Sequence, residues 1–335
     1  MKSKTNLSGY FSRLAAALIM LASSASFAQT PSAPTFPAFP TKPVRIVVPF
    51  AAGGVADLTV RVVAQKLSDT WGQAVIVDNR PSAGGIVAGE LVAKAEPDGH
   101  TLLLMSNGSA VSAGLFKTLP FDTQRDFAPL STLGFFDIAL VAAGDSKFAT
   151  LADVLAYARA NPGKLNVGSI AVGSTQNLVA EWFKQSAAID VQVVPFNGTP
   201  AVITALRGGQ IDVAVEIVAP IVGQVRGKAL RLLATTGDKR SRLMPDVPSA
   251  REQGVLGLNA ASWNALAAPA KTPKAIQVKL AADIAAAVES ADVRKKLAEQ
   301  MVDASSASPE LTAELLGNEI KRWTAVIERA KIARQ

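Results

Sequence analysis

Residues 42–67 read KPVRIVVPFAAGGVADLTVRVVAQKL, and this stretch decides the fold because it holds a strand, a turn and a helix in succession. Residues 44–48 form a mostly β-branched run between two prolines, the pattern of a strand buried on both faces. The small residues 51–54 form a turn that another group can approach closely, and a helix is predicted to begin near Asp57. Because first-turn N–H groups have no intrahelical partner, such a turn is suited to binding an anion. The alternative is a plain strand–helix connection without a ligand.

The first 28 residues are typical of a secretory signal peptide. Basic residues precede an apolar segment at 14–22, and residues 26–28, SFA, provide a small-x-small cleavage signal. This leader carries three basic residues and no acid, so the formal charge of +7 falls to +4 without it. A weakly basic chain is not expected to bind nucleic acid. Residues 29–40 are rich in proline, serine and alanine and are predicted to form a flexible lead-in.

The chain contains no cysteine, which excludes disulfides and a lipid anchor at a lipobox cysteine. An exported protein of this kind must be stabilised by its core, and about 300 residues are enough for one. We therefore expect a soluble periplasmic protein, and we expect it to be monomeric.

Strands and helices alternate after the opening unit, which predicts a mainly parallel sheet. Strands are predicted at 73–78 and 101–105, and the loops 81–85 and 106–109 follow them. Because ligands bind at the carboxyl edge of open parallel sheets, these loops are expected to meet loop 50–54 at one crevice.

A second series of strands and helices follows residues 127–141, which we interpret as the crossing between two lobes. Strands are predicted at 166–169, 191–195 and 211–215, and residues 262–268 form the strand that returns to the first lobe. The expected organisation is a first lobe of residues 41–131 and 250–335 and a second lobe of residues 132–249.

Catalytic machinery is sparse in this sequence. His100 is the only histidine, and it lies in a turn where a structural role is expected. There is no G-x-S-x-G elbow, no phosphate-binding P-loop and no metal-ligand cluster, so we expect neither an enzyme nor a cofactor. The remaining chemistry is a set of small neutral donors, which suit a carboxylate because each of its oxygens accepts about two hydrogen bonds.

Several short motifs run along the chain from about residue 41 to the C-terminal helix. They are PVRIVVPFAAGG at 43–54 with Asp57 and Arg61, NRPSAGG at 79–85, PDG at 97–99, LPFD at 119–122, DFAP at 126–129, GS at 173–174, VPF at 194–196, GGQID at 208–212 and PDVP at 245–248. Each motif is weak alone, but together they resemble the tripartite tricarboxylate transporter receptors, the TctC or Bug type of periplasmic solute-binding protein.

The resemblance implies a two-lobed α/β periplasmic-binding-protein fold of type II-like form, with helices flanking a mainly parallel sheet in each lobe and a ligand cleft between the lobes. It implies that the loop at 50–57 and the loop at 169–177 hold a ligand carboxylate, largely through backbone groups. The candidate binding residues are Phe50, Ala51, Ala52, Gly53, Gly54, Asp57, Ser82, Ser106, Asn107, Ser169, Gly173, Ser174, Thr175, Asn177, Phe196, Asn197, Gly198, Thr199 and Glu216.

Two of these residues depart from the family's pattern. Asn177 stands where members usually carry histidine, and Glu216 stands where aspartate is common. Since asparagine cannot become cationic, these changes favour a ligand with one carboxylate and a neutral or basic remainder over a dicarboxylate. Asp57 is expected to cap its helix rather than to face the ligand. Phe196 either lines an apolar wall or belongs to the core.

The first hypothesis is a periplasmic solute-binding protein that captures a small carboxylate for the membrane components of a tripartite carrier. A sensing role uses the same scaffold and stays open. A secreted enzyme is the second hypothesis, because a fold does not fix a function. An interaction protein with a vestigial cleft is the third.

Overall fold

The computed structural model describes residues 39–335, so the predicted signal peptide and most of the lead-in lie outside the described residues. Its strands are β1 (Val44–Val48), β2 (Val75–Asn79), β3 (Thr101–Ser106), β4 (Phe127–Ala143), β5 (Asn166–Ile170), β6 (Gln192–Phe196), β7 (Val213–Ile217), β8 (Leu230–Thr235), β9 (Ala261–Pro269) and β10 (Asp303–Ala304). Its α-helices are α1 (Val55–Trp71), α2 (Ile86–Ala93), α3 (Asn107–Leu115), α4 (Leu151–Ala160), α5 (Thr175–Ser186), α6 (Thr199–Arg207), α7 (Val222–Arg226), α8 (Lys274–Glu289), α9 (Ala291–Glu299) and α10 (Pro309–Arg329). The predicted α/β class is confirmed.

The strands form one mixed sheet in the order β2-β1-β3-β9-β4-β7-β5-β6, and β8 and β10 also pair with β4. The strands predicted from strand–helix alternation are parallel, since β1 pairs with β2 and β3, and β5 pairs with β6 and β7. The middle of the sheet is antiparallel, because β9 runs against β3 and β4. The sheet is therefore parallel toward its two ends and antiparallel around β4.

The segment predicted as a crossing is the single long strand β4. Its first part, Phe127 to Asp137, pairs with β9, and its second part, from Ile138 onward, pairs with β7 and β8. The boundary expected at residues 131/132 falls inside this strand. The division into two lobes stays a prediction.

The core lies on both faces of the sheet. One cluster packs β1 and β3 against α1 and α8 through Val44, Ile46, Leu67, Leu104 and Ile284. A second cluster packs the opposite face against α3, α5 and α10. Within it the rings of Trp182 and Trp323 pack edge to face, with their centroids 5.9 Å apart. None of the helices within residues 39–335 is long and apolar enough to cross a membrane.

Candidate functional site

A cleft of about 740 Å³ lies beyond the carboxyl ends of β1, β3 and β5, a volume typical of small-molecule sites. The described residues that line it include no charged side chain. Its polar lining consists of hydroxyl and amide groups on Ser82, Ser106, Asn107, Ser109, Ser112, Thr123, Ser174, Thr175, Gln176, Thr199, Ser262, Asn264, Gln300 and Gln335. An anion in this cleft is therefore met by neutral hydrogen-bond donors.

The loop between β1 and α1 is held by the Asp57 carboxylate. Asp57 is 1% exposed, and its Oδ2 accepts hydrogen bonds from the Gly53 N–H and from Arg61 Nε, both at 2.9 Å. Its Oδ1 accepts a third from Asn79 Nδ2 at 2.9 Å. Burial acts to raise the pKa of Asp57, but these hydrogen bonds outweigh burial and hold the pKa below its ordinary value. Asp57 thus stabilises the loop through the Gly53 N–H instead of facing the cleft, and among the described residues no side chain caps the start of α1.

The loop between β5 and α5 is held in the same way by Asn177. This side chain is 4% exposed, and its Oδ1 accepts a hydrogen bond from the Gly173 N–H at 3.1 Å. Its Nδ2 donates to Ser169 Oγ at 3.2 Å, and its own N–H donates to the helix-capping Ser174 Oγ at 3.1 Å. Both ends of the amide are therefore engaged inside the loop.

These two loops present the starts of two helices to the same cleft. Gly54 precedes α1 and Ser174 precedes α5, and the residues that begin each helix line the cleft. The N–H groups of a helix's first turn have no intrahelical partner. A carboxylate between the two helix starts can therefore accept hydrogen bonds from both loops.

Glu216 lies in β7, fully buried behind the lining residue Thr199. Its Oε2 accepts a hydrogen bond from Thr199 Oγ1 at 2.9 Å. Burial raises the pKa of Glu216 to about 7, and hydrogen bonds from Thr199 and Gln176 offset this only in part. A group with this pKa is present in both protonation states near neutral pH.

The structure brings many of the sequence-predicted residues together at the cleft. Those that line it are Phe50, Gly53, Gly54, Ser82, Ser106, Asn107, Gly173, Ser174, Thr175 and Thr199. Those that do not line it are Ala51, Ala52, Asp57, Ser169, Asn177, Phe196, Asn197, Gly198 and Glu216. Asp57, Ser169, Asn177 and Glu216 lie behind the lining and hold it in place, whereas Phe196 packs against the apolar cluster under α6.

Asn264, in the middle of β9, is a lining residue that the sequence analysis did not single out. Its signal in the sequence is an amide between the apolar neighbours Trp263 and Ala265 in the run SWNALAA, a pattern that by itself indicates only a returning strand. His100 is 8% exposed and accepts a hydrogen bond from the Thr41 N–H at 3.3 Å, which agrees with a structural role.

The fold and the cleft define a class of protein that binds a small molecule at the carboxyl edge of an α/β sheet. The sequence model of one protein family, the tripartite tricarboxylate transporter family receptor (TctC), matches residues 59–332 of this chain. The chain therefore belongs to this family of solute-binding receptors.

Relatives of known sequence agree with this assignment. The chain is 33% identical to the UPF0065 protein in the tcbD-tcbE intergenic region of Pseudomonas sp. (strain P51), over 84% of each chain. It is 32% identical to protein BugT of Bordetella pertussis, over 85% of this chain and 88% of that protein.

Two solved structures of similar proteins hold carboxylates. R. palustris Rpa4515 with adipate is 31% identical, with a TM-score of 0.78 over 88% of this chain and 99% of that one. MatC (Rpa3494) from Rhodopseudomonas palustris with bound malate is 31% identical, with a TM-score of 0.73 over 86% of this chain and 100% of that one.

Proposed function

We propose that this protein is a soluble periplasmic receptor that captures a small carboxylate between the starts of α1 and α5. The observation that carries the proposal is the neutral cleft into which both helix starts open. The adipate and malate bound to two similar proteins support the ligand class.

The binding chemistry follows from the way the two loops are built. The side chains of Asp57 and Asn177 accept hydrogen bonds from the glycine N–H groups of their loops. The N–H groups two residues after these glycines, at Val55 and Thr175, then remain available to a ligand. Hydrogen bonds from neutral donors to a carboxylate in a largely desolvated cleft are strong without an ion pair. The receptor thus holds an anion reversibly, as a carrier requires, and no turnover is expected.

We infer further that the lobes of residues 41–131 with 250–335 and of residues 132–249 close on the ligand. The ligand is then delivered to the membrane components of a tripartite carrier, and the receptor acts as a monomer. Closure around a ligand is one of the common transitions of two-lobed binding proteins.

The experiment is a thermal-shift screen followed by titration calorimetry, with C3 to C8 diacids, their monoamides, aromatic monocarboxylates and uncharged diamides as probes. A ligand at about 100 times its dissociation constant stabilises the folded state by about 2.7 kcal/mol, which raises Tm by several degrees. The proposal requires that at least one carboxylate raises Tm and that its carboxylate-free analogue does not. Equal shifts with the uncharged analogues, or consumption of any bound acid, would contradict it.

A further inference from the structure

The amide of Asn264 is buried at the cleft without a hydrogen-bond partner. Asn264 is 0% exposed, and its strand, β9, is hydrogen-bonded between β3 and β4, where Asn264 pairs with Ser106 and Gly134. Asn264 is one of the residues that line the cleft, and within the described residues neither its Nδ2 nor its Oδ1 has a partner. Because a buried unpaired amide costs free energy, native proteins rarely keep one without a use for it.

Two further amide oxygens at the cleft share this condition. Asn107 is 1% exposed, and its Nδ2 donates to the Ala261 carbonyl at 2.9 Å, which fixes the orientation of the amide and leaves Oδ1 unpaired. Gln300 also lines the cleft, and its Oε1 is buried and unpaired. Within the described residues, the buried unpaired atoms of these three amides are three carbonyl oxygens and the Nδ2 of Asn264, so a group that only accepts hydrogen bonds leaves the oxygens unpaired.

A carboxylate does not match this lining. Its oxygens accept hydrogen bonds only, so a carboxylate beside Asn264 could bind Nδ2 but would leave Oδ1 unpaired, and the described lining residues have no cationic side chain to offset the charge. A carboxamide matches Asn264, because its NH₂ group can donate to Oδ1 while its carbonyl accepts from Nδ2. An ammonium group is less suited, since the described lining residues include no carboxylate side chain.

We propose that Asn264 determines specificity by binding a neutral carboxamide at the end of the ligand remote from its carboxylate. The ligand class is then an ω-amide of a small acid, not a diacid. This inference rests on the proposed function, which binds the carboxylate end of the ligand. It attributes the expected preference for a ligand whose other end is neutral to Asn264 instead of to Asn177. A site built to hydrogen-bond such a group discriminates strongly, because rejected analogues leave its buried polar atoms unpaired.

The test is titration calorimetry with three probes of one chain length: adipate, its monoamide adipamate and its diamide adipamide, repeated with the succinate series. We expect the protein to bind a monoamide at least tenfold more tightly than the matching diacid. Asn264→Leu should abolish this preference by weakening monoamide binding at least tenfold and diacid binding much less. Asn318→Leu, at an exposed position on α10, is the matched control and should change neither affinity.

A second readout separates ligand recognition from a structural role. Leucine has the branched shape of asparagine without its polar atoms, but its larger volume can overpack this buried site, so the smaller Asn264→Ala is measured beside it. If the amide has no structural partner, at least one of the two variants should leave the Tm of the ligand-free protein unchanged or raise it. A marked fall in the Tm of both variants would show a structural partner and would overturn the proposal.

The probe series also distinguishes the two proposals. Diacid binding that equals or exceeds monoamide binding in both series overturns the role of Asn264 and leaves the carboxylate receptor standing. Diamide binding that equals monoamide binding overturns the carboxylate site instead. Failure of all six probes to bind overturns the role of Asn264, and the carboxylate receptor is then judged by the wider thermal-shift screen.

Discussion

Asp57 and Asn177 occupy equivalent positions in two separate strand–helix loops of this protein. Each is the third residue of its helix, and each accepts a hydrogen bond from the N–H of the glycine four residues earlier, at 2.9 Å and 3.1 Å. Both glycines, Gly53 and Gly173, have positive φ, at 85° and 80°. The same local device therefore shapes both loops, once with a charged side chain and once with a neutral one.

The charge of Asp57 is predicted to matter for stability. Asp57→Asn removes the ion pair with Arg61, so we expect a loss of about 1–2 kcal/mol in the free energy of unfolding at pH 7. The folded-state pKa of Asp57 is depressed, so its contribution is present above the unfolded pKa and is lost as pH falls through the folded value. Urea unfolding should show the difference between variant and parent at pH 7 and a smaller one below about pH 4.

Backbone donors in the first turns of α1 and α5 are predicted to hold the ligand. Val55→Pro and Thr175→Pro each remove one N–H at the first helical position, where proline is tolerated and the preceding residue is already extended. Each variant should bind the carboxylate tenfold or more weakly by calorimetry, because a charge-assisted hydrogen bond contributes about 1.5–3 kcal/mol.

Two controls accompany these proline variants. Thr175→Val removes the hydroxyl and keeps the N–H, and Ala291→Pro places proline at the first position of α9, outside the cleft. Neither control should weaken binding as much as the loop variants. A loop proline with unchanged affinity would mean that its N–H does not face the ligand.

The two positive-φ glycines are predicted to differ in their tolerance of alanine. Alanine at either position is strained by about 1–2 kcal/mol. A Cβ on Gly53 meets nothing within 4 Å, whereas a Cβ on Gly173 lies 2.7 Å from Leu115 Cδ2. Gly173→Ala should therefore destabilise the protein by about 1 kcal/mol more than Gly53→Ala does in denaturant unfolding. Equal losses would show that Leu115 moves freely.

Glu216 is predicted to make stability fall as pH rises. Its folded pKa of about 7 lies above its value in the unfolded chain, so the folded state binds more protons between pH 4.5 and 7. The contribution of Glu216 to the free energy of unfolding is fully present below that interval. It falls by about 3 kcal/mol as pH rises through the folded pKa.

Glu216→Gln should remove this dependence. The free energy of unfolding of the variant, relative to the parent, should increase from pH 5 to pH 8. A difference that does not change with pH would indicate that Glu216 is ionised throughout.

Local patterns were enough to predict the elements that carry the cleft. The strand, turn and helix of residues 42–67 follow from a buried β-branched run and small turn residues, and the structure contains them as β1 and α1. The antiparallel centre could not be predicted from alternation alone, because the placement of β9 between β3 and β4 depends on contacts distant in sequence.

Side-chain direction was the part of the site that the sequence did not specify. Asn177 was predicted to contact the ligand, yet the positive φ of Gly173 turns that glycine's N–H toward the asparagine amide. Asn264 was overlooked because its burial depends on two neighbouring strands that no local pattern identifies.

The most direct measurement is a crystal structure of the protein with a bound monocarboxylate or diacid. We predict one carboxylate whose oxygens lie within hydrogen-bond distance of backbone nitrogens at the starts of both α1 and α5, with no lysine or arginine in contact. A ligand carboxylate paired with a basic side chain, or bound away from both helix starts, would contradict this account.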